Sequence, residues 1–352
     1  MRPWAMLVVL VLLPNAAQAR DGRAIYSENC ASCHGDDGRG GPAREASFPV
    51  ELPNFTDCDF GTPEANSDWM ATVHDGGYAR AFDRRMPAFR EILTDSEIRE
   101  VVQYLRQFCT DDAWPRGELN LARPFFTEKA FPEDEAALTV QGSRSDVTST
   151  LVYEKRFGAR WQLELTVPAS YAEQMAGGWK GGLGDIALGM KRVLFSSLAA
   201  GSIVSAMLEV SAPTGRSDRG FGAGTTMTEG SILAAQLLGP LFVQLHAGAA
   251  VAYDRAFPDE VFARVALGQQ IVPMRFGRMI SPIVELTVTH ELEAGAPTDF
   301  DVVPELQVTL STRQHIRAAV GIDIPATDRS RDISGLVYFL WDIADGGLTE
   351  GW

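Results

Sequence analysis

Positive charge and long apolar runs are both scarce in this sequence. Its 352 residues include 31 Lys and Arg against 46 Asp and Glu, a formal net charge of −15. This balance excludes nucleic acid as a partner, because binding its phosphates requires clustered Lys and Arg. After residue 19, no stretch is long and apolar enough for a transmembrane helix. The chain is too long for one small domain, so we expect two domains.

The N-terminal segment has the composition of a signal peptide. Arg2 supplies positive charge, residues 7–13 form an apolar run, and Ala17-Gln18-Ala19 forms an A-x-A cleavage site. The run is shorter than the roughly 20 residues of a membrane-spanning helix, which disfavours the alternative of a membrane anchor. We therefore predict that residues 1–19 are removed on export and that the mature chain begins at Arg20, outside the inner membrane.

Two of the four cysteines form a motif with a definite chemistry. Cys30 and Cys33 are separated by two residues, and His34 follows directly. Thiols at this C-x-x-C-H spacing can bind the two vinyl groups of one haem, and the histidine then becomes an axial ligand of the iron. A zinc half-site would need a second Cys or His pair nearby, and a thioredoxin-like pair would need a βαβ pattern. Since neither follows, we predict one covalently bound haem c.

The other two cysteines, Cys58 and Cys109, are candidates for a disulfide bond. Disulfides persist in the oxidising compartment that an exported protein enters. The alternative is a pair of free thiols, which is less expected in an exported protein.

The iron needs a second axial ligand, which we expect ahead of the last helix of the haem region. That helix is predicted over "TDSEIREVVQYLRQFC", where Thr94 and Glu97 form a capping box and apolar residues recur at helical spacing. Met86 in "RRMPAF" is the favoured ligand, and His74 and Met70 are the alternatives. The choice affects function, because a thioether ligand raises the reduction potential relative to two histidines.

The rest of the chain consists of a proline-rich segment and a region of period two. Residues 113–135 carry three prolines among charged residues, and we interpret them as an extended linker. Residues 136–352 alternate apolar and polar side chains, as in "RWQLELTVPA" and "LFVQLHAGAAVAYD". About twelve such segments occur, each close to the ten or so residues with which a tilted strand crosses a bilayer.

This alternation favours an antiparallel up-and-down β-barrel in a membrane, with an apolar outer face and a polar interior. Charged residues such as Glu285 and Glu305 would line the interior, and aromatic residues near strand ends, Tyr338 among them, would face the membrane interface. The alternative is a soluble β-sandwich or small barrel whose apolar face points inward. Uniform strand length and apolar faces nearly free of charge favour the membrane barrel.

Residues 21–109 resemble a class I c-type cytochrome. The segments "CASCHG", "VHDGGY", "MPAF" and "EIREVVQYLRQFC" carry the resemblance. It implies an all-α domain, placed here at residues 20–112, in which Cys30 and Cys33 bind the haem covalently and His34 and Met86 are axial. It further implies single-electron transfer rather than catalysis, with a haem enzyme as the alternative if Met86 is displaceable.

The C-terminal part is similar to outer-membrane barrels of the phenol-degradation transporter type, through "GDIALGMKRVLF" and "LEVSAPTG". That similarity implies passage of small, poorly soluble compounds. We therefore expect an electron carrier tethered on the periplasmic side of an outer-membrane barrel. The alternative is an outer-membrane transporter whose cytochrome domain reduces or senses a small-molecule or metal cargo.

The charge of the haem region differs from that of many soluble carriers of this type, which surround the haem edge with lysines. Residues 20–112 contain no lysine, and ten arginines face eighteen Asp and Glu, a net charge of −8. Opposite potentials favour encounter between redox proteins. We therefore expect a redox partner protein that is neutral or basic rather than acidic.

Overall fold

The computed structural model describes residues 20–40, 52–174, 177–271, 279–328, 330–344 and 347–349. The predicted signal peptide, residues 1–19, lies outside the described residues. A helical N-terminal domain comes first, and a large antiparallel β-sheet follows.

Short α-helices build the N-terminal domain. Their bounds are α1 Gly22–Asn29, α2 Ala31–His34, α3 Cys58–Gly61, α4 Asn66–Asp75 and α5 Asp95–Leu105. The predicted capping box begins α5: the Thr94 side chain accepts from the Glu97 N–H, and the Glu97 side chain accepts from the Thr94 N–H. This exchange satisfies two N–H groups that a helix start otherwise leaves unpaired.

Helices α1 and α5 cross closely and form the core of this domain. Ile25 of α1 and Ile98 and Val101 of α5 are fully buried in one cluster. A side chain at Gly22 would place its Cβ 2.3 Å from the Glu100 carbonyl oxygen, so only glycine permits this approach. No helix in the described part of the chain combines the length and apolar character needed to cross a bilayer.

Thirteen strands form the C-terminal sheet. Their bounds are β1 Glu135–Gly142, β2 Asp146–Phe157, β3 Trp161–Glu173, β4 Trp179–Leu183, β5 Ile186–Ser197, β6 Ser202–Ala212, β7 Met227–Leu238, β8 Leu241–Ala252, β9 Glu260–Gln269, β10 Ile280–Glu291, β11 Thr298–Thr309, β12 Ile316–Pro325 and β13 Ser334–Asp342. Each pairs antiparallel with its neighbours, and β1 also pairs with β13. The sheet is therefore a closed barrel of twelve strands, as predicted, with β4 as a short extension beside β3.

The outer face of the barrel is apolar around its whole circumference. Every one of the twelve barrel strands carries a large apolar side chain that is exposed: Leu138, Leu151, Leu163, Leu188, Leu208, Ile232, Leu245, Leu267, Leu286, Leu306, Ile322 and Val337. Charged and amide side chains such as Glu154, Lys191 and Gln244 are buried inside. This arrangement is opposite to that of a soluble barrel or sandwich, so the soluble alternative is wrong.

The predicted orientation of one aromatic side chain is wrong. Tyr338 does not face outward but is buried in the barrel interior. Its hydroxyl donates to the Arg123 carbonyl oxygen at 2.7 Å and accepts from the Gln307 amide at 2.6 Å. Strand β13 is apolar on both faces over "GLVYFLW", so alternation alone could not assign its side chains to a face.

The helical domain lies against the end of the barrel that carries the short turns. These turns include residues 158–160, 198–201 and 239–240, whereas longer loops such as residues 213–226 lie at the opposite end. Arg156 of β2 donates to the Asp59 carboxylate of α3 at 2.6 Å. The turn between β11 and β12, residues 310–315, contacts α4 and the residues after it. Contacts at two separate places therefore fix the domain on the barrel.

The segment predicted as a linker enters the barrel. Residues 119–133, here called the plug, have no helix or strand beyond the end of one 3-10 turn. Leu121 and Phe131 of the plug pack in one buried cluster with Ile203, Leu233 and Phe242 of the barrel wall. The interpretation of residues 113–135 as a linker outside any domain interior is therefore corrected: the segment is extended, but most of it fills the barrel.

Hydrogen bonds from the barrel wall satisfy the backbone of the plug. The Glu285 carboxylate accepts from the N–H groups of Phe125, Phe126 and Thr127, with the shortest donor–acceptor distance 2.7 Å. Further wall residues donate to plug carbonyl oxygens or accept from plug N–H groups: Gln162, Ser205, Gln244, Arg264 and Tyr338. An extended chain can therefore be buried without the unpaired backbone groups that would destabilise it.

Buried ion pairs add to these hydrogen bonds. Arg123 of the plug donates to Glu135 at 2.8 Å and to Glu154 at 2.9 Å. Lys191 of β5 donates to Glu128 at 3.1 Å, and Lys129 pairs with Glu133 within the plug. Buried charges are tolerated only when they are paired and hydrogen-bonded, so the plug and the wall depend on each other.

Replacing Glu285 by alanine is expected to destabilise the barrel by about 3 kcal/mol or more, because three buried N–H groups lose their acceptor at about 1–3 kcal/mol each. The measurement is the temperature at which the folded gel band of the detergent-solubilised protein converts to the unfolded one. Glu291→Ala, at the exposed end of the same strand, is the control. Equal conversion temperatures for Glu285→Ala and the wild type would contradict this role of Glu285.

Candidate haem site

The residues of the C-x-x-C-H motif lie on one tight helical turn. Cys30 ends α1 and precedes α2, and its carbonyl oxygen accepts from the N–H groups of Cys33 at 3.1 Å and His34 at 2.9 Å. Both thiols are free and partly buried. Burial, with a smaller contribution from Cys33, raises the pKa of the Cys30 thiol to about 11. Two neighbouring free thiols at this spacing fit thioether bonds to a haem.

The other two cysteines are joined in a disulfide bond. Cys58, at the start of α3, is bonded to Cys109, four residues after α5. The bond ties the middle of the domain to its end, beside the point where the chain leaves for the barrel. It leaves Cys30 and Cys33 as the unpaired cysteines of the described chain.

His34 is positioned as a neutral imidazole. The residue ends α2, and Gly35, with φ of +75°, turns the chain away immediately after it. Its ring contacts Phe55 with a centroid distance of 5.0 Å, and burial lowers the pKa of the imidazole. Its Nδ1 atom is buried without a hydrogen-bond partner among the described residues. A buried, neutral imidazole that the protein alone does not satisfy fits an axial ligand of a haem iron.

Met86 lies in a closed loop after α4. The Gly77 N–H donates to the Met86 carbonyl oxygen at 3.0 Å, and the Phe89 N–H donates to Val73 at 3.0 Å. A side chain at Gly77 would place its Cβ 2.3 Å from the Asp83 carbonyl oxygen, which explains the glycine in "VHDGGY". Met86 packs against the same buried cluster as Cys30. The structure therefore brings Cys30 and Met86 onto one core, which His34 also contacts through Phe55.

The two alternative ligands differ in their surroundings. The Nδ1 atom of His74 lies 2.7 Å from the Asp75 carboxylate, and its Nε2 atom lies 4.0 Å from Asp95. The contact to Asp95 is too long for a hydrogen bond, and a carboxylate on Nδ1 is compatible with ligation through Nε2, so His74 stays an alternative ligand. Met70 packs against the same cluster as Met86 and stays an alternative.

An acidic residue that the sequence did not single out lies where the helical domain meets the barrel. Asp68 of α4 is buried and accepts from Arg80 at 3.2 Å and from Gln314 of the barrel turn at 2.6 Å. Burial, with a contribution from Glu64, raises the pKa of Asp68 to about 7, although Arg80 and Arg317 act in the opposite direction. Charged residues in helices are seldom buried. The burial of Asp68 could not be foreseen from the sequence, because its partner Gln314 belongs to the barrel.

The N-terminal part of the chain, which carries the C-x-x-C-H motif, matches a known protein family. Residues 17–105 match the family model described as cytochrome C oxidase, cbb3-type, subunit III. A curated relative, the cbb3-type cytochrome c oxidase subunit CcoP of Cereibacter sphaeroides, is 36% identical over 93 residues, which are 26% of this chain and 28% of that protein. The chain thus spans less than a third of that relative. The match confirms the predicted resemblance of this region to c-type cytochromes.

Comparison with solved structures concerns the barrel. An outer membrane channel from Pseudomonas putida F1 is 14% identical and covers 63% of this chain and 99% of its own, with a TM-score of 0.45. The NanC porin is 8% identical and covers 59% of this chain and 98% of its own, with a TM-score of 0.42. The barrel fold of this chain is established by its own strand pairing.

Asp68 is expected to make the stability of the helical domain dependent on pH. Its pKa is higher in the folded state than in the unfolded state, so the folded state binds the extra proton between about pH 4 and 7, and stability falls as pH rises through that window. Asp68→Asn is expected to remove this decline. Urea-induced loss of helical circular dichroism measures it, with Asp75→Asn on the same helix as the control. Parallel pH profiles for Asp68→Asn and the wild type would contradict the expectation.

Proposed function

We propose that this chain is an exported electron carrier, in which a covalent haem c in the helical domain is tethered to an outer-membrane barrel on its periplasmic side. The observation that carries the proposal is the turn that presents the free thiols of Cys30 and Cys33 with His34, on the same core as Met86. The match of residues 17–105 to a cytochrome family supports it.

Each of these residues has one role in the proposal. Cys30 and Cys33 form the thioether bonds, and His34 and Met86 are the axial ligands. A haem held in this way supplies reversible one-electron transfer. With His34 and Met86 both bound to the iron, no position would be left for a substrate, so bond-making catalysis is not part of the proposal.

The surface of the barrel supports a location in the membrane. An uninterrupted belt of exposed apolar side chains surrounds it, from Leu138 on β1 to Val337 on β13. Apolar patches larger than a few hundred Å² are rare on soluble monomers, and such a belt is what a lipid-facing barrel requires. The closed strand pairing leaves no sheet edge in the hydrocarbon region.

The end of the barrel that the helical domain contacts supports its placement on the periplasmic side. Outer-membrane barrels place short turns on the periplasmic side and long loops outside. The helical domain contacts the end with the short turns, through Arg156 and the turn of residues 310–315. The predicted signal peptide would deliver the chain to that side.

The plug supports the barrel as an anchor rather than a conduit. At its level, the inward-facing residues Ile203, Leu233, Ala266 and Glu285 have no exposed surface. Buried hydrogen bonds and ion pairs hold the plug from many strands. A transporter would have to displace all of these contacts in each cycle.

The charge of the helical domain supports a neutral or basic redox partner protein. Its acidic residues outnumber its arginines by eight, and it contains no lysine. Acidic side chains exposed near the C-x-x-C-H turn include Asp36 and Asp37. Complementary charge accelerates encounter between proteins and weakens at high salt.

Met86→Ala is expected to change the absorption spectrum of the ferric haem from the low-spin form and to lower the midpoint potential, because a thioether ligand raises that potential. Absorption spectroscopy and redox titration of the full-length protein in detergent measure both. Met70→Ala, which alters a neighbour on the same core, is the control. A Met86→Ala protein with an unaltered spectrum would show that the axial ligand is another residue.

Liposomes that contain the wild-type protein are expected to be impermeable to small sugars, because the plug fills the barrel. A swelling assay measures the flux, and Glu285→Ala, in which the plug loses three hydrogen bonds, is the comparison. Rapid swelling with the wild type would refute the anchor role and favour the transporter.

A further inference from the structure

We propose that the barrel turn between β11 and β12 holds the loop that carries the axial methionine, and that Arg313 is a positioning residue for Met86. The inference rests on the proposed haem function and adds a residue to it. It assigns the barrel a part in setting the iron site, beyond anchoring it.

The first observation is a direct contact between the two segments. The Arg313 guanidinium donates to the Ala81 carbonyl oxygen and lies over the Phe82 ring, 4.6 Å from its centroid. These residues are 232 positions apart in sequence. A guanidinium combines a charged hydrogen bond with stacking on an aromatic face, which a point-charge ammonium reproduces only in part.

The second observation is backbone strain on both sides of this contact. Ala81 has φ of +57° and Gln314 has φ of +66°, and in the described part of the chain they are the two non-glycine residues with positive φ. Such conformations are unfavourable for residues with a side chain and persist only where surrounding contacts impose them. Here each strained residue belongs to one of the two segments that touch.

A second pair of hydrogen bonds joins the same segments. The Gln314 side chain donates to Asp68 at 2.6 Å, and the same Asp68 oxygen accepts from Arg80 at 3.2 Å. Arg80 ends the 3-10 turn of residues 77–80, directly before Ala81. The barrel turn therefore holds the start of the loop indirectly through Asp68 and its middle directly through Arg313.

The loop transmits this restraint to Met86 because it is closed on itself. The Phe82 N–H donates to the Gly77 carbonyl oxygen at 2.7 Å, and the Gly77 N–H donates to the Met86 carbonyl oxygen at 3.0 Å. The Met86 N–H donates to Asp83 at 3.3 Å. Displacing Ala81 and Phe82 would therefore move the backbone that sets the position of Met86.

The test measures how readily an external ligand replaces the methionine. Arg313→Ala is expected to raise the affinity of the ferric full-length protein for imidazole about tenfold, since a hydrogen bond from a charged group contributes enough for such a change. It is also expected to weaken the absorption signature of the methionine-ligated haem. Arg313→Lys is expected to restore part of both, because lysine keeps the donor and loses the planar stacking.

A matched variant distinguishes positioning of Met86 from docking of the helical domain on the barrel. Arg156→Ala removes a different contact between the barrel and the helical domain, the one to Asp59, which is remote in sequence from the methionine loop. It is expected to leave imidazole affinity unchanged. If Arg156→Ala raises the affinity as much as Arg313→Ala, the effect belongs to docking in general, and the positioning role is overturned.

Other outcomes are equally decisive. If Arg313→Ala binds imidazole as the wild type does, the inference fails while the proposed function stands. If Met86→Ala leaves the spectrum unaltered, the proposed ligand set fails instead. Should Arg313→Ala not fold, Arg313→Lys and Phe82→Ala each weaken the same contact, the second from the exposed side of the helical domain; wild-type affinity in both variants would overturn the inference.

Discussion

The Glu285 carboxylate accepts hydrogen bonds from three successive backbone N–H groups of the plug. The architecture depends on this interaction. An extended chain can be buried in the barrel only if its backbone N–H and C=O groups find partners, and the wall supplies them. Once the backbone of the plug has these partners, its side chains can form buried ion pairs. Arg123 of the plug pairs with Glu135, and Glu128 of the plug pairs with Lys191 of the wall. The filled interior of the barrel depends on this burial of the plug backbone, whereas strand pairing closes the barrel and separate contacts dock the helical domain.

Much of the fold could be predicted because it is written in local patterns. Strand positions follow from a period of two, and the start of α5 follows from Thr94 and Glu97. The spacing of Cys30, Cys33 and His34 predicts haem attachment, and the structure places the three residues on one turn. The loop around Met86 could be located because glycine and proline mark its ends.

The plug and the interface could not be predicted, for a physical reason. Prolines and charges between two domains are equally compatible with a solvated linker and with an extended chain whose partners come from elsewhere. Lys129 and Glu133 are ordinary surface residues by composition, and only the surrounding wall makes them a buried pair. Asp68 and Arg313 likewise acquire their surroundings from segments more than two hundred residues away. Contacts of this range leave no periodic trace in the chain.

The segment between the disulfide and the plug is short, and it limits how far the helical domain can move from the barrel. Between Cys109 and the buried Leu119 lie nine residues, so the two positions can be at most about 36 Å apart even in a fully extended chain. Gly117 shortens that reach, because it packs so tightly against Pro63 that an added Cβ would lie 1.9 Å from its carbonyl oxygen. The proposed haem would therefore stay beside the barrel and could not move between a donor and an acceptor. Both partner proteins would have to reach it there.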